Sequence, residues 1–314
     1  MPPYATLVHP MSPDLKHALD RLYIQYNCVD SAIDPIQIVR RFPNPADQEV
    51  VGFCAAALAF GRVASVLQSI ERLLAIMGPS PASFAASFDP HGDRARLSAL
   101  VHRWTRGEDL IALLLILRAM LGRGSIEAYF LDGYDSGAAD IGEALESLSA
   151  RALSIDLHEA YGPGPRRHPG IGYFFPKPSS GSGCKRLNLF LRWMVRRDAV
   201  DVGVWSRVSR SKLIIPLDTH VIRVGRCLGL TRSASPGWKM ASEITRSLRA
   251  LDPEDPVKYD FSLCHIGMAD LCAFGRAKRD VMCPLRGLCR PHARGAGRQT
   301  RDRRRGSARP SAGQ

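Results

Sequence analysis

The stretch that decides how the chain is read is GSGCKRLNLFLRWM, residues 181–194. Gly181 and Gly183 frame a tight turn, because glycine permits positive φ and lets another backbone come close. A helix begins at once. Leu187, Phe190, Leu191 and Met194 fall at i, i+3, i+4 and i+7, the apolar stripe of a helix that faces a core. Lys185, Asn188 and Arg192 share another face. The first amides of a helix lack internal partners and can hold a phosphate oxygen. A lysine amine at that end, beside further cations, is of the kind that Schiff-base chemistry uses as a nucleophile.

The next informative string is PLDTH, residues 216–220. Pro216 breaks any preceding helix. Asp218 stands where an N-cap belongs, accepting from the first amides of a helix over 219–228. A carboxylate fixed there can also stabilise a cationic sugar or take a proton. Each signal alone has a plain structural reading: a turn, a solvated lysine, a cap. Their combination is more specific because both fall in the one internal basic segment.

The charge distribution shows that segment. The 314 residues carry 43 Lys and Arg against 30 Asp and Glu, a net of +13. Residues 1–182 hold 16 basic and 19 acidic groups, whereas 183–230 hold 10 and 3, and 290–314 hold 8 and 1. A concentrated basic patch points to a polyanionic partner. Hydrophobic residues at 45% and charged residues at 23% exclude wholesale disorder. The longest apolar runs, 50–60 and 110–117, fall short of the roughly 20 residues a bilayer needs. The N-terminus has no basic start followed by an apolar run, so no secretion signal is expected. Eight cysteines make no disulfide scaffold at this length, and a reducing, cytoplasmic, nucleoid-associated location is expected.

Helical periodicity dominates. Helices are predicted over 15–26, 45–60, 63–77, 110–121, 141–153, 185–197, 219–228, 238–251 and 256–273, with Asn44 and Pro45 as cap and first-turn residue of the second. Strand-like character is confined to 213–215. The Gly/Pro-rich stretch 161–183 shows no helical period and reads as a loop crossing between lobes. The expected fold is therefore all-α, a two-lobed helical domain over 1–290. The Arg/Gly/Ser-rich tail 291–314 should be disordered.

Gly-x-Gly-x-Lys opening an apolar-striped helix, then an extended link and Leu-Asp-Thr-His opening the next, resembles the helix-hairpin-helix DNA glycosylases, with endonuclease III and the archaeal 8-oxoguanine glycosylases as the nearest types. The longer strings CKRLNLFLRWMVRRDAVDVGVW and PLDTHVIRVGRCLGLT, with LYIQYN, AALAFGRV and DPVKYDF, resemble a bacterial family of unknown function attached to that superfamily, over roughly residues 20–290. The resemblance implies that Lys185 attacks the sugar C1′ and forms an imine, and that Asp218 assists glycosidic cleavage. It implies that Gly181 and Gly183 form the hairpin that holds a backbone phosphate. The turn at Gly61-Arg62 lies near where endonuclease III fills the gap left by a flipped base, which assigns Arg62 to DNA; an ordinary helix–helix turn is the alternative. Lys185 and Asp218 stand 33 positions apart, wider than in endonuclease III. The link between them reads as a lid or a DNA-contacting loop, with Arg207, Arg210 and Lys212 toward phosphates and Arg192 on the hairpin helix. Tyr173, Phe174, Phe175 and Trp193 are either base-stacking partners or core, with core expected for at least half of them.

Cys272, Cys283 and Cys289 precede the basic tail, and CPLRGLC (283–289) resembles the end of the iron–sulfur loop of endonuclease III. A [4Fe-4S] cluster takes four thiolates. Asp280 stands at the second ligand position, and Cys264 precedes Cys272 by 8 residues, about 12 Å on a continuous helix. Asp280 or His292 in a mixed site, zinc as the metal, and free cysteines in a degenerate loop all remain open. Cys28, Cys54 and Cys227 read as small core residues. The expectation is a monomeric enzyme that removes a damaged base from double-stranded DNA and cleaves the abasic site, without a membrane partner. The alternative is a noncatalytic nucleic-acid binder on the same fold, with a metal-dependent nuclease or regulator behind it.

Overall fold

The computed structural model describes residues 13–29, 34–163, 169–269, 271 and 282–289. The expectations for Cys272, Asp280, His292 and the tail 291–314 lie outside the described residues. The fold is all-α: among the described residues the only β-pairing is two isolated bridges, His102 with Thr105 and Arg197 with Val202. The strand-like 213–215 stretch is instead buried extended chain, and the Ile215 amide donates to the Thr245 hydroxyl at 3.0 Å rather than to a neighbouring strand. Its apolar residues signal burial, not sheet.

The strongest periodicities form helices where expected: Pro13–Tyr26, Pro45–Ala57, Val63–Met77, Gly107–Leu121, Gly142–Ser154, Lys185–Val195, Thr219–Leu228 and Trp238–Arg249. Asn44 caps its helix by accepting from the Ala46 amide at 3.0 Å, with Pro45 in the first turn. The 256–273 prediction breaks into a 3-10 turn, Pro256–Tyr259, and a helix, Asp260–Met268, because Pro256 shapes the start. The crossing stretch 161–183 is not all loop. It contains the short helix Pro169–Phe174 and a 3-10 turn, Pro178–Ser180. Single-turn helices carry too little period to be read from sequence.

The core is one continuous hydrophobic cluster. Gly107–Leu121 lies at its centre, with residues 109–117 all buried, which explains why it is apolar on every face. The stripe Leu187, Phe190, Leu191 and Met194 is at most 2% exposed, and Lys185–Val195 packs on Pro45–Ala57, Phe190 meeting Phe53 edge-on at 4.9 Å. Thr219–Leu228 packs on Asp260–Met268.

The link 196–217 is pinned rather than free. Val202 and Gly203 donate to the Trp193 carbonyl, and Trp205 to that of Met194. The Trp205 indole donates to buried Glu49 at 2.5 Å, and the same carboxylate accepts from the amides of Ile126 and Glu127. Val200, Trp205, Val208 and 213–217 are buried. The lid reading of this segment is corrected by these anchors. Cys54 and Cys227 are core residues as expected, but Cys28 is exposed, just past the end of its helix.

Candidate active site

The turn at 181–185 is built differently from the two-glycine expectation. Gly181 takes a left-handed conformation (φ +80°), but the second left-handed residue is Cys184 (φ +46°), not Gly183. A non-glycine residue there costs roughly 1–2 kcal/mol. Burial of the Cys184 side chain, 1% exposed with its thiol against the Pro176 and Ser182 carbonyls at 3.5 Å, holds it in place and pushes the thiol up to about 12. Gly183 sits close to its neighbour: a Cβ there would lie 3.3 Å from the end of the Leu217 side chain, which would have to shift by a few tenths of an ångström. A Cβ on Gly237 would lie 2.5 Å from the Gly181 carbonyl, which instead accepts from the Trp238 amide at 3.1 Å. The turn is thereby docked on the start of Trp238–Arg249. Asn188 braces it from within, its amide nitrogen donating to the Gly183 carbonyl at 3.1 Å.

Lys185 is the first residue of its helix and lines a cavity of about 360 Å³. Gly181, Gly183, Arg186, Tyr173, Phe60 and Leu217 are among the other wall residues. Lys185, Gly181 and Gly183 are therefore brought together as the sequence implied. From the PLDTH string, Leu217 reaches this wall, and Asp218 sits one residue beyond it. Asp218 is the N-cap of Thr219–Leu228: Oδ1 accepts from the amides of His220 at 2.9 Å and Val221 at 2.7 Å. Oδ2 accepts from the Cys264 thiol at 3.2 Å. Burial, followed by the charges of Asp218 and Asp260, raises that thiol well above its ordinary range.

The other expected contacts separate. Arg192 is corrected: it is 3% exposed, and its guanidinium pairs with Asp201 at 3.2 Å and Asp260 at 2.5 Å. The helix turns this face inward, and a second buried arginine, Arg196, joins it through Asp201, Asp198 and Asp255. No surface remains on Arg192 for a phosphate. Lys212 is likewise spent internally, donating to the carbonyls of Asp135 and Ser136 over the Tyr134 ring. Arg207 is exposed and pairs with Glu127 at 3.6 Å. Arg210 is exposed in a 3-10 turn, and Arg62 is exposed at the start of Val63–Met77. Among the described residues no group of three or more His, Cys, Asp or Glu is arranged to hold a metal. Cys283 is half-buried and Cys289 buried. Phe174, Phe175 and Trp193 are core, at most 1% exposed, while Tyr173 is 47% exposed.

Sequence reasoning passed over Arg186 and Trp104. Arg186 follows Lys185 directly and stands on the same cavity wall. Trp104 is 47% exposed beside Tyr173, their ring centroids 5.7 Å apart. An isolated tryptophan in a short loop carries no pattern that marks it as exposed.

Asp260 ties the site to the buried arginines. Burial, with the Asp218 charge adding to it, raises its carboxyl to about 7 despite Arg192. A carboxyl raised above its unfolded value favours the folded state at low pH and loses that contribution as pH rises through the folded value. Asp260→Asn lacks this loss. Its stability relative to the wild type is expected to improve between about pH 4 and pH 7 and to level off above that in urea denaturation. A pH-independent difference would mean that Asp260 is ionised throughout.

The chain belongs to a protein family of unknown function, DUF2400, whose family model matches residues 34–269. No curated protein and no solved structure matches the chain. The matched span contains the 181–185 turn, Asp218 and the cavity wall.

Proposed function

We propose that the protein is a DNA-repair enzyme that excises a damaged base and cleaves the resulting abasic site, with a two-lobed, glycosylase-like helical fold and the 181–185 turn as its hairpin. The observation that carries this reading is the position of Lys185 at the head of a helix, on the wall of a cavity shared with the Gly181–Gly183 turn. The partner is double-stranded DNA holding a damaged base or an abasic site, bound by a monomer. Phosphate contacts supply salt-sensitive affinity, and the target nucleotide leaves the stack, since its glycosidic bond is inaccessible inside the duplex. The Lys185 amine attacks C1′ as the C1′–N bond breaks and the base departs with a proton. The nitrogen lone pair then opens the sugar ring by breaking the C1′–O4′ bond, O4′ takes up a proton, and the protonated imine results. Abstraction of a C2′ proton then expels the 3′ phosphate by β-elimination. Asp218, through its carboxylate, stabilises the positive charge that develops on the sugar.

A second reading, a noncatalytic nucleic-acid binder, is favoured by the Asp218 hydrogen bonds: Oδ1 serves two amides and Oδ2 a thiol, the arrangement of a structural cap. Borohydride added to the protein with abasic-site duplex separates the two. A covalent protein–DNA adduct is expected, and salt-sensitive binding with no adduct would overturn the enzymatic reading in favour of the binder.

A further inference from the structure

Trp104 and Tyr173 are the only aromatic residues among the described ones whose large side chains stand exposed, each at 47%. They lie side by side, tilted by 54°. Trp104 is presented by a rigid turn. His102 and Thr105 exchange both backbone hydrogen bonds, at 3.0 and 2.9 Å, with Arg103 at the tip in a left-handed conformation (φ +56°). The His102 ring is fastened between the Ser69 hydroxyl at 2.9 Å and the Phe60 carbonyl at 3.0 Å. Phe60 stacks on Trp104 at 4.4 Å, the Arg103 guanidinium stands 5.3 Å from the indole ring, and the side chain is still half exposed. A strained turn that holds a large aromatic in water is a costly arrangement unless a ligand covers the ring.

Behind this wall lies Arg186. Its guanidinium stands 5.1 Å from the Phe60 ring and 5.9 Å from the Tyr173 ring, and donates to the Ala57 carbonyl at 3.1 Å. Among the described residues no carboxylate pairs with it, in contrast to Arg192 and Arg196, which hold several between them. Burial lowers it to about 10, the signature of a cation withdrawn from water without an anion. Tyr173 lines both the Lys185 cavity and a second one of about 550 Å³, which Trp104, Arg106, Asp109 and Tyr161 also line. Two half-exposed rings beside a guanidinium that no carboxylate among the described residues pairs match the parts of a nucleotide: a planar base to stack and a phosphate to neutralise.

We propose that Trp104 and Tyr173 form a stacking platform for a single unpaired nucleotide, whose phosphate is met by Arg186. This rests on the nucleic-acid part of the reading above, not on its chemistry. The test uses the full chain and a five-residue oligothymidylate as probe. Of the other tryptophans, Trp193 and Trp205 are buried and Trp238 is half-buried, so Trp104 dominates any quenching by a stacked base. The wild type is expected to show quenching. Trp104→Phe should lose it while binding within about twofold, since a ring remains. Tyr173→Ala, an exposed change, should weaken binding roughly tenfold. Arg186→Gln should flatten the dependence of log affinity on log salt by about 0.7, the share of one phosphate on a single strand, and Arg186→Lys should restore it. Unchanged affinity in Tyr173→Ala, or an unchanged salt slope in Arg186→Gln, overturns the platform. A wild type that forms the borohydride adduct yet shows no quenching also overturns it and leaves the catalytic reading standing. Quenching without an adduct leaves the platform and removes the catalysis.

Discussion

Arg192→Ala is expected to destabilise the protein by about 3–5 kcal/mol, the cost of breaking a buried ion pair from one side. The variant would leave Asp201 and Asp260, 1% and 3% exposed, facing a cavity with one cation removed. Arg196 cannot serve both: it already holds Asp198, Asp201 and Asp255. A loss of that size is a large fraction of the roughly 5–15 kcal/mol by which a domain is stable, so urea denaturation should show a much lower midpoint. Adding Asp260→Asn should recover part of the loss, because a buried carboxyl that has lost its partner is gone and the two sites are in contact. A loss below about 1 kcal/mol would mean that the cluster contributes little and that Arg192 is free to turn toward a ligand. The buried cluster also adjoins the proposed site, since Asp260 feels the charge of Asp218 and lies on the helix packed against the one Asp218 caps.

Arg192 shows where the sequence stops being legible. A period of 3.6 assigns residues to faces, and it correctly put Leu187, Phe190, Leu191 and Met194 inside. It cannot say how many faces are covered. Asn188 and Arg192 read as a polar outer face, yet both are buried because the 196–217 link and Asp260–Met268 close over that side. Buried charge is invisible in a pattern whose premise is that charge marks the surface. The cap at Asp218, by contrast, was legible, because capping is local: one side chain and the two amides that follow it. The Gly181–Lys185 turn was half legible. Its tightness followed from the glycines, but the second left-handed residue is Cys184, held there by burial that only the folded chain supplies. Arg186 and Trp104 were missed for the same reason, since their surroundings come from residues 57–60 and 173.

Lys185→Ala is expected to reduce the borohydride-trapped adduct to background while duplex binding survives with its salt slope lowered by no more than about one phosphate. The proposed nucleophile has no substitute at that point: Cys184, its neighbour, is buried with its thiol pushed up to about 12, and Arg186 lacks a nucleophilic amine. Lys185→Arg should behave like the alanine variant in trapping and like the wild type in binding, which separates loss of the amine from loss of charge. Asp218 completes the argument, because asparagine caps a helix about as well as aspartate. If Asp218 acts only as a cap, Asp218→Asn keeps both stability and base release near wild type, and Asp218→Ala loses about 1 kcal/mol of stability. If its charge assists departure of the base, Asp218→Asn slows excision by about a hundredfold or more, while adduct formation on a preformed abasic site, which needs no base to leave, changes far less. Equal losses on the two substrates would tie Asp218 to shaping the Lys185 cavity through Leu217, and not to the sugar.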